Sequence, residues 1–278
     1  MRKLVNGLFD VFCFCRTLLF LVGLWLVTAF CGLAAIPGYL MPYRWRYHLI
    51  IGAWGHFNCF WLFVTCGVRC KIINRKNIPK RKAFVALSKH SSTWETAALP
   101  VILDCPSIVV KRQLLSIPGF GWGLATCEPI VIDRKQPKRA MQMIISQGKQ
   151  YLAKGRAVLL FPEGTRSHGE YKAGGAVLAK EAGVPILPIA HNAGEFWPRD
   201  RFIIRPGTIY LKFGPLIDTT DKTPEALTEE VKQWIEQSIV DFSKASPAQA
   251  KERKQALSHV HDDGPDCHPE YTRDKQYE

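Results

Sequence analysis

The stretch between Arg16 and Arg44 contains no charged residue, and within it segment 18–27 is apolar without interruption. A helix needs about 20 predominantly apolar residues to cross the hydrocarbon core of a bilayer, so this stretch is long enough for one span. A removable signal peptide has a shorter apolar region, of about 7–15 residues. The stretch is therefore predicted to be an uncleaved, membrane-embedded helix.

Segment 49–68 is a second uncharged stretch and is rich in aromatic residues. It either completes a helical hairpin through the membrane or lies in the interface as an amphipathic anchor, and the sequence leaves both open. The basic residues Arg2, Lys3 and Arg16 favour a cytoplasmic N-terminus, although basic residues beyond the first stretch weaken that preference. Residues 1–68 are thus predicted to form a membrane anchor.

The chain is basic, with 37 Lys and Arg against 24 Asp and Glu, which implies an anionic partner. Nucleic acid and a phospholipid surface both carry that charge, but the aromatic residues concentrate in the predicted anchor, so nucleic acid is not expected. The nine cysteines are odd in number and several lie in apolar segments, which favours reduced thiols over a disulfide framework. Cys267 and His268 lack a second ligand pair, so no zinc site is expected there.

Residues 69–243 alternate between apolar strand-like runs and helical patterns, which predicts an α/β domain with a mostly parallel central sheet flanked by helices. Residues 244–278 are polar, lack an apolar period and are predicted to be disordered. The predicted strands are 69–73, 83–87, 107–110, 129–132, 157–161, 186–190, 202–205 and 208–213. The predicted helices are 136–153, 174–182 with Gly183 as C-cap, and 224–242 with Thr223 as N-cap.

His90 follows the second predicted strand, with Glu95 five residues further on. An imidazole can accept a hydroxyl proton near neutral pH, and a carboxylate on its other nitrogen would orient it. Ser92 and Glu95 also fit a capping box, in which the glutamate bonds back to the start of a helix. The spacing alone leaves Glu95 with either role or with both.

Other polar groups follow other predicted strands, and parallel strands would bring their carboxyl ends together at one edge of the sheet. Gly164 permits a tight turn after strand 157–161, Thr165 offers a hydroxyl, and Arg166 carries a planar guanidinium suited to phosphate. Arg134 follows strand 129–132 within a short charged run. Lys111 follows strand 107–110 and fits either a membrane contact or a phosphate ligand.

Four segments in this order resemble the glycerolipid acyltransferase family. Segment 90–95 resembles its His-x-x-x-x-Asp block, and segment 129–134 resembles its block ending in Asp-Arg. Segment 161–167 reproduces the Phe-Pro-Glu-Gly-Thr-Arg-Ser block in full, and segment 184–190 resembles the fourth block. The chain departs from the family in one place, because Glu95 stands where the usual pattern has Asp.

The resemblance implies that His90 deprotonates the sn-2 hydroxyl of 1-acylglycerol 3-phosphate, which then attacks the thioester of acyl-CoA or acyl-carrier protein to give phosphatidic acid. It further implies that Glu163 and Arg166 bind the glycerol phosphate with help from Arg134, and that no metal or organic cofactor takes part. The expected location is the inner membrane of a bacterium, with the catalytic domain on the cytoplasmic face. Glycerol 3-phosphate or a lyso-ornithine lipid as acceptor, or a non-catalytic lipid-binding relative, are the alternatives.

Overall fold

The computed structural model describes residues 2–80, 82–164 and 170–245. The chain divides into two compact units, Met1–Ile239 and Val240–Glu278, and the described part of the second is the end of the last helix. The strands are β1 (Val68–Ile73), β2 (Val85–Ser88), β3 (Ser107–Lys111), β4 (Ile130–Ile132), β5 (Val158–Leu160), β6 (Ile186–His191) and β7 (Gly207–Phe213). The helices are α1 (Arg2–Gly38), α2 (Tyr43–Tyr47), α3 (Ala53–Cys66), α4 (Trp94–Ile102), α5 (Arg112–Leu115), α6 (Phe120–Ala125), α7 (Pro137–Ala153), α8 (Gly174–Ala182), α9 (Ala193–Phe196) and α10 (Pro224–Ala245), with a π-helical turn over His48–Gly52 and a 3₁₀ turn over Arg75–Asn77.

The seven strands form one sheet in the order β1-β7-β6-β2-β5-β3-β4. All neighbouring pairs are parallel except β6 and β7, so the predicted mostly parallel sheet is confirmed. The central strands β2 and β6 are buried along their whole length, as expected for continuously apolar strands covered on both faces. The carboxyl ends of β2, β5 and β4 therefore lie at the same edge of the sheet.

Two helices flanking the sheet begin or end where their sequence signals predict. Helix α8 is followed by Gly183 in the left-handed conformation, with φ of 62°, which a glycine adopts without strain. Helix α10 begins at Pro224, and the Thr223 hydroxyl accepts a hydrogen bond from the amide of Ala226 at 3.2 Å. The buried face of α10 packs Leu227 and other apolar residues against the rest of the Met1–Ile239 unit.

The predicted strand at 202–205 is wrong. Its backbone groups bond outside any ladder: the Ile204 amide donates to the Thr17 hydroxyl at 3.0 Å, and the Arg205 amide donates to the Phe196 carbonyl at 2.9 Å. Pro206 follows and offers no amide hydrogen to a neighbouring strand. Ile204 is buried all the same, so the segment's apolar character reflects packing against α1 rather than pairing in a sheet.

The N-terminal region is an antiparallel pair of helical stretches, α1 and the continuous α2 to α3 segment. The indole of Trp61 donates to the Leu19 carbonyl at 3.3 Å, and the indole of Trp54 donates to the Thr28 hydroxyl at 2.9 Å. The stretches Gly7–Gly38 and Tyr43–Cys66 are each long and apolar enough to cross a membrane. Both carry many exposed large apolar side chains, as a lipid-facing surface would.

Candidate active site

His90 lies just beyond the carboxyl end of β2, and Glu95 lies in the first turn of α4. The His90 Nδ1 atom is 2.9 Å from Glu95 Oε1. The His90 ring also stacks on the ring of Phe161, which follows β5, with centroids 4.3 Å apart. Because β2 and β5 are neighbouring parallel strands, the fold places the two residues side by side although they are far apart in sequence.

The Glu95 carboxylate performs both of the tasks that its spacing suggested. It is fully buried, and Oε1 accepts hydrogen bonds from the backbone amides of Ser91 at 2.9 Å and Ser92 at 2.8 Å as well as meeting His90. The Ser92 amide lies just before the N-cap Thr93 and donates to Glu95 as the backward bond of a capping box would, while the Ser92 hydroxyl accepts from the Trp94 amide at 3.2 Å. Capping and contact with the imidazole therefore coexist, and the longer side chain of Glu95 spans both.

The hydrogen bonds on Glu95 determine which nitrogen of His90 is basic. An ionised carboxylate oxygen can only accept, so the Nδ1 atom of His90 must donate to Glu95 Oε1. In the neutral ring the Nε2 atom then carries the lone pair. A carboxylate in this position also stabilises the imidazolium that forms when Nε2 takes up a proton. The pair thus has the arrangement of an oriented general base.

Glu163 supports the backbone of His90 rather than lying free at the surface. It is 4% exposed, and its Oε1 atom accepts a hydrogen bond from the His90 amide at 3.1 Å. Its Oε2 atom is 3.3 Å from the ammonium of Lys89, which also binds Glu236 on α10 at 2.8 Å. The Tyr171 hydroxyl donates to Glu236 at 3.2 Å, and burial together with the two carboxylates raises the pKa of that hydroxyl. Lys89, Glu236 and Tyr171 were not identified as site residues from the sequence.

His191, at the end of β6, is a fully buried histidine beside Glu95 that the sequence reasoning missed. Its Nε2 atom lies 2.9 Å from the Lys89 carbonyl, and its Nδ1 atom accepts a hydrogen bond from the Ala193 amide at 3.3 Å. Burial lowers the pKa of His191, although the nearby charge of Glu95 works in the opposite direction. Glu95 Oε2 is 3.9 Å from His191 Nε2 and has no hydrogen-bond partner among the described residues. His191 is therefore a neutral, buried ring that lies behind Glu95 and is held by the Lys89 carbonyl and the Ala193 amide.

The His90 ring lines a largely apolar cavity of about 640 Å³, a volume within the usual range for small-molecule sites. The cavity extends between the sheet and the N-terminal helices. Side chains from α1, from the π-helical turn, from α3 and from β3 form its apolar wall, including Leu24, Ile50, Trp54 and Val110. The N-terminal helices therefore contribute directly to the cavity that contains the histidine.

Several of the candidate binding residues line the same cavity. Arg134, Gly164 and Lys111 all do so, and so does Arg199, which sequence reasoning missed. Gly164 has a φ of 66° and so adopts the left-handed conformation that its turn requires. Burial lowers the pKa of Arg134, which remains charged at neutral pH. Of the other predicted binding residues, Glu163 is not among those lining the cavity, and Thr165 and Arg166 lie outside the described residues.

A basic imidazole nitrogen on the wall of an apolar cavity suits the class of enzymes that transfer a fatty acyl chain to a hydroxyl group. Comparison with known proteins agrees, since a family model described as Acyltransferase matches residues 69–192. A Pseudomonas aeruginosa protein named 1-acyl-sn-glycerol-3-phosphate acyltransferase is 41% identical over 211 residues, covering 73% of this chain and 82% of that protein. The chain belongs to this acyltransferase family, and the family resemblance predicted from its motifs is confirmed.

More distant relatives carry similar names. The human protein named 1-acyl-sn-glycerol-3-phosphate acyltransferase alpha is 27% identical over 175 residues, which are 60% of this chain and 62% of that protein. The crystal structure of the 1-acyl-sn-glycerophosphate acyltransferase PlsC from Thermotoga maritima superposes with a TM-score of 0.70. It is 23% identical in sequence, and the match covers 87% of this chain and 98% of that one. The present chain therefore has the same fold as that crystal structure.

Proposed function

We propose that this enzyme transfers an acyl chain from acyl-CoA or acyl-carrier protein to the sn-2 hydroxyl of 1-acylglycerol 3-phosphate, giving phosphatidic acid. The observation that carries the proposal is His90, oriented by the buried Glu95, on the wall of an apolar cavity that is also lined by Arg134. Such a cavity can hold an acyl chain while its few charged groups bind a headgroup. The name of the Pseudomonas relative supports the same acceptor.

In the proposed reaction His90 acts as the general base. Its Nε2 atom takes the proton of the acceptor hydroxyl as the oxygen attacks the thioester carbonyl. A C–O bond forms, the tetrahedral intermediate collapses with cleavage of the C–S bond, and the proton passes from Nε2 to the departing thiolate. Glu95 holds the ring in the required tautomer throughout and stabilises its charged form.

The headgroup phosphate is proposed to bind the basic residues at the same edge of the sheet. Arg134, Lys111 and Arg199 line the cavity that contains His90, and a guanidinium binds phosphate through two parallel hydrogen bonds. Arg166, Thr165 and Gly164 belong to the motif that resembles the phosphate-binding block of the family. We propose that Glu163 positions His90 instead of binding the phosphate. Its buried carboxylate already accepts from the His90 amide and pairs with Lys89.

The acceptor is a membrane lipid, and the N-terminal helices are proposed to bring the cavity to it. The far end of this helical pair packs against the rest of the domain, where Arg46 donates to the Thr126 carbonyl at 3.0 Å and Tyr47 donates to the Pro106 carbonyl at 3.4 Å. Residues 1–68 are therefore proposed to anchor the protein at one face of the membrane rather than to carry the chain across it. The remaining domain would then face the cytoplasm from a bacterial inner membrane, where acyl-CoA and acyl-carrier protein are available. Leu24 and Trp54 lie on the cavity wall, so an acyl chain could pass between the anchor and the domain.

The test uses purified protein in detergent micelles with oleoyl-CoA or acyl-carrier protein and a panel of acceptors. We expect 1-acylglycerol 3-phosphate to be acylated in preference to glycerol 3-phosphate and to a lyso-ornithine lipid. Replacing Arg134 or Arg166 by Ala should chiefly raise the KM for the phosphate acceptor, whereas Lys135→Ala, an exposed neighbour, should leave it unchanged. Acylation of a lysolipid without phosphate at an equal rate would refute the proposed acceptor.

A further inference from the structure

Three potential metal ligands meet far from the His90 site. His48 begins the π-helical turn between α2 and α3, and Asp104 and Cys105 connect α4 to β3. His48 Nε2 is 3.4 Å from Asp104 Oδ1 and 3.4 Å from Cys105 Sγ, and the sulfur is 3.6 Å from Asp104 Oδ1. We call these three residues the His48 cluster. Because His48 and Cys105 are 57 positions apart, no local sequence pattern could have indicated it.

The three distances match the edges of a zinc tetrahedron. Zinc binds thiolate at about 2.3 Å, imidazole at about 2.05 Å and carboxylate at about 2.1 Å, with tetrahedral angles in most sites. These bond lengths place sulfur and nitrogen about 3.6 Å apart, nitrogen and oxygen about 3.4 Å apart, and sulfur and oxygen about 3.6 Å apart. The His48 cluster therefore needs little rearrangement to surround one ion.

The surroundings of the cluster also favour a metal. Asp104 Oδ1 points to the cluster while its Oδ2 atom accepts a hydrogen bond from Arg44 at 3.1 Å, an outer contact that would hold the carboxylate in place. Asp104 and Cys105 have φ angles of 53° and 65°. Aspartate tolerates the left-handed conformation, but it is strained for Cys105, and strained residues cluster at functional sites. The Cys105 side chain is buried, whereas those of His48 and Asp104 are half-exposed, so an ion can enter from solvent.

We propose that the His48 cluster binds one zinc ion through three protein ligands, with water as the fourth. A mixed set of imidazole, thiolate and carboxylate is the chemistry that zinc accepts. The site would join the start of the second helical stretch of the anchor to the start of β3. It lies at the amino end of β3, whereas His90 lies beyond the carboxyl end of a parallel strand, so the ion would act on stability and not on the reaction.

The test is binding of Zn²⁺ and Co²⁺ to the full-length, tag-free protein in detergent micelles. We expect one ion per chain, a sulfur-to-cobalt charge-transfer band and a higher melting temperature with Zn²⁺. Cys105→Ser should abolish the charge-transfer band, and Cys105→Ser and His48→Ala should each weaken zinc binding by at least about tenfold. Asp104→Asn keeps the thiol and should weaken binding while retaining the cobalt–sulfur band.

Two controls make the result specific to the cluster. Cys70→Ser removes an exposed cysteine elsewhere and should bind zinc as the unaltered chain does. Removal of Cys267 and His268 in a double variant excludes binding by the C-terminal pair. The proposal is overturned if the folded protein binds no zinc, if Cys105→Ser binds zinc as tightly as the unaltered chain, or if binding is lost when Cys267 and His268 are replaced. If acylation activity persists in Cys105→Ser, the ion is structural. The zinc-binding result does not depend on whether the proposed acceptor is correct.

Discussion

Replacing Glu95 by Gln separates the charge of this side chain from its geometry. The Gln oxygen can stand where Glu95 Oε1 stands and accept the same three hydrogen bonds, from His90 Nδ1 and from the amides of Ser91 and Ser92. The helix cap and the tautomer of His90 are thereby kept. The variant lacks the negative charge facing the imidazolium that forms during the reaction, and it places an NH2 group where Glu95 Oε2 has no hydrogen-bond partner among the described residues.

The size of the effect follows from the difference between charged and neutral acceptors. A hydrogen bond to a charged group contributes about 1.5–3 kcal/mol, and one between neutral groups about 0.5–1.5 kcal/mol. For the His90 bond the midpoints of these ranges differ by about 1.25 kcal/mol, which corresponds to about an eightfold loss in kcat. The cost of burying the carboxylate charge disappears with the charge and offsets part of the cost of about 1–3 kcal/mol for the buried amide donors, so the folded state should lose less stability than in Glu95→Ala.

The assay is the initial rate of thiol release from acyl-CoA at saturating lysolipid, together with a melting curve for each variant. Glu95→Ala is the complementary variant, because it removes the orientation of His90 as well and should cost about 10²–10⁴-fold in kcat. It also leaves the buried amides of Ser91 and Ser92 without acceptors, so its melting temperature should fall clearly below that of Glu95→Gln. Full activity in Glu95→Gln would show that the charge is not used, and full activity in Glu95→Ala would remove Glu95 from the mechanism.

Three further predictions concern stability. Lys89→Met leaves the buried carboxylate of Glu163 without its cation and should lower the free energy of unfolding by about 3–5 kcal/mol. The double variant Lys89→Met/Glu163→Gln should recover part of that loss, because it also removes the unpaired charge. If chemical unfolding shows equal losses for Lys89→Met and the double variant, the coupling between Lys89 and Glu163 is refuted. Gly55→Ala would place a Cβ atom 2.6 Å from a carbonyl oxygen of α4 and should lower the melting temperature, whereas Gly7→Ala meets nothing within 4 Å and should not. For Glu128, burial alone would raise the pKa, but ionic hydrogen bonds from two arginines outweigh it and hold the pKa below the ordinary 4.5. Because the folded protein holds the pKa of Glu128 below its unfolded value, the ionised side chain stabilises the fold at pH values above the unfolded pKa. This stabilisation is lost as the pH falls through the lowered pKa of the folded state. Glu128→Gln removes this contribution, so its melting temperature should fall less steeply in acid.

Seven of the eight predicted strands match observed strands to within two residues at each end. Strands β2 and β6 appear as continuous apolar runs because both faces of the central sheet are covered. The same reasoning failed at 202–205, where Ile204 is buried by a helix and not by a neighbouring strand. An apolar run records burial, and it does not record which backbone groups form hydrogen bonds.

Within the candidate site, contacts between residues close in sequence could be predicted, whereas contacts between residues far apart in sequence could not. The pairing of His90 with Glu95 could be predicted, because a helix beginning between them brings residues five positions apart into contact. The contact between Lys89 and Glu236 joins residues 147 positions apart and depends on how α10 packs against the sheet. His191 gave no signal either, because a histidine ending a buried strand resembles any other core residue. Contacts of this kind follow only from the tertiary fold.

The central claim is that His90 is the general base for acylation of 1-acylglycerol 3-phosphate. The most direct measurement compares phosphatidic acid formation by the unaltered protein and by His90→Ala, at equal concentration of folded protein in micelles with each acyl donor. We expect product from the unaltered chain and a reduction of about 10²–10⁴-fold in the variant. No phosphatidic acid with any donor, or an undiminished rate in His90→Ala, would contradict the account.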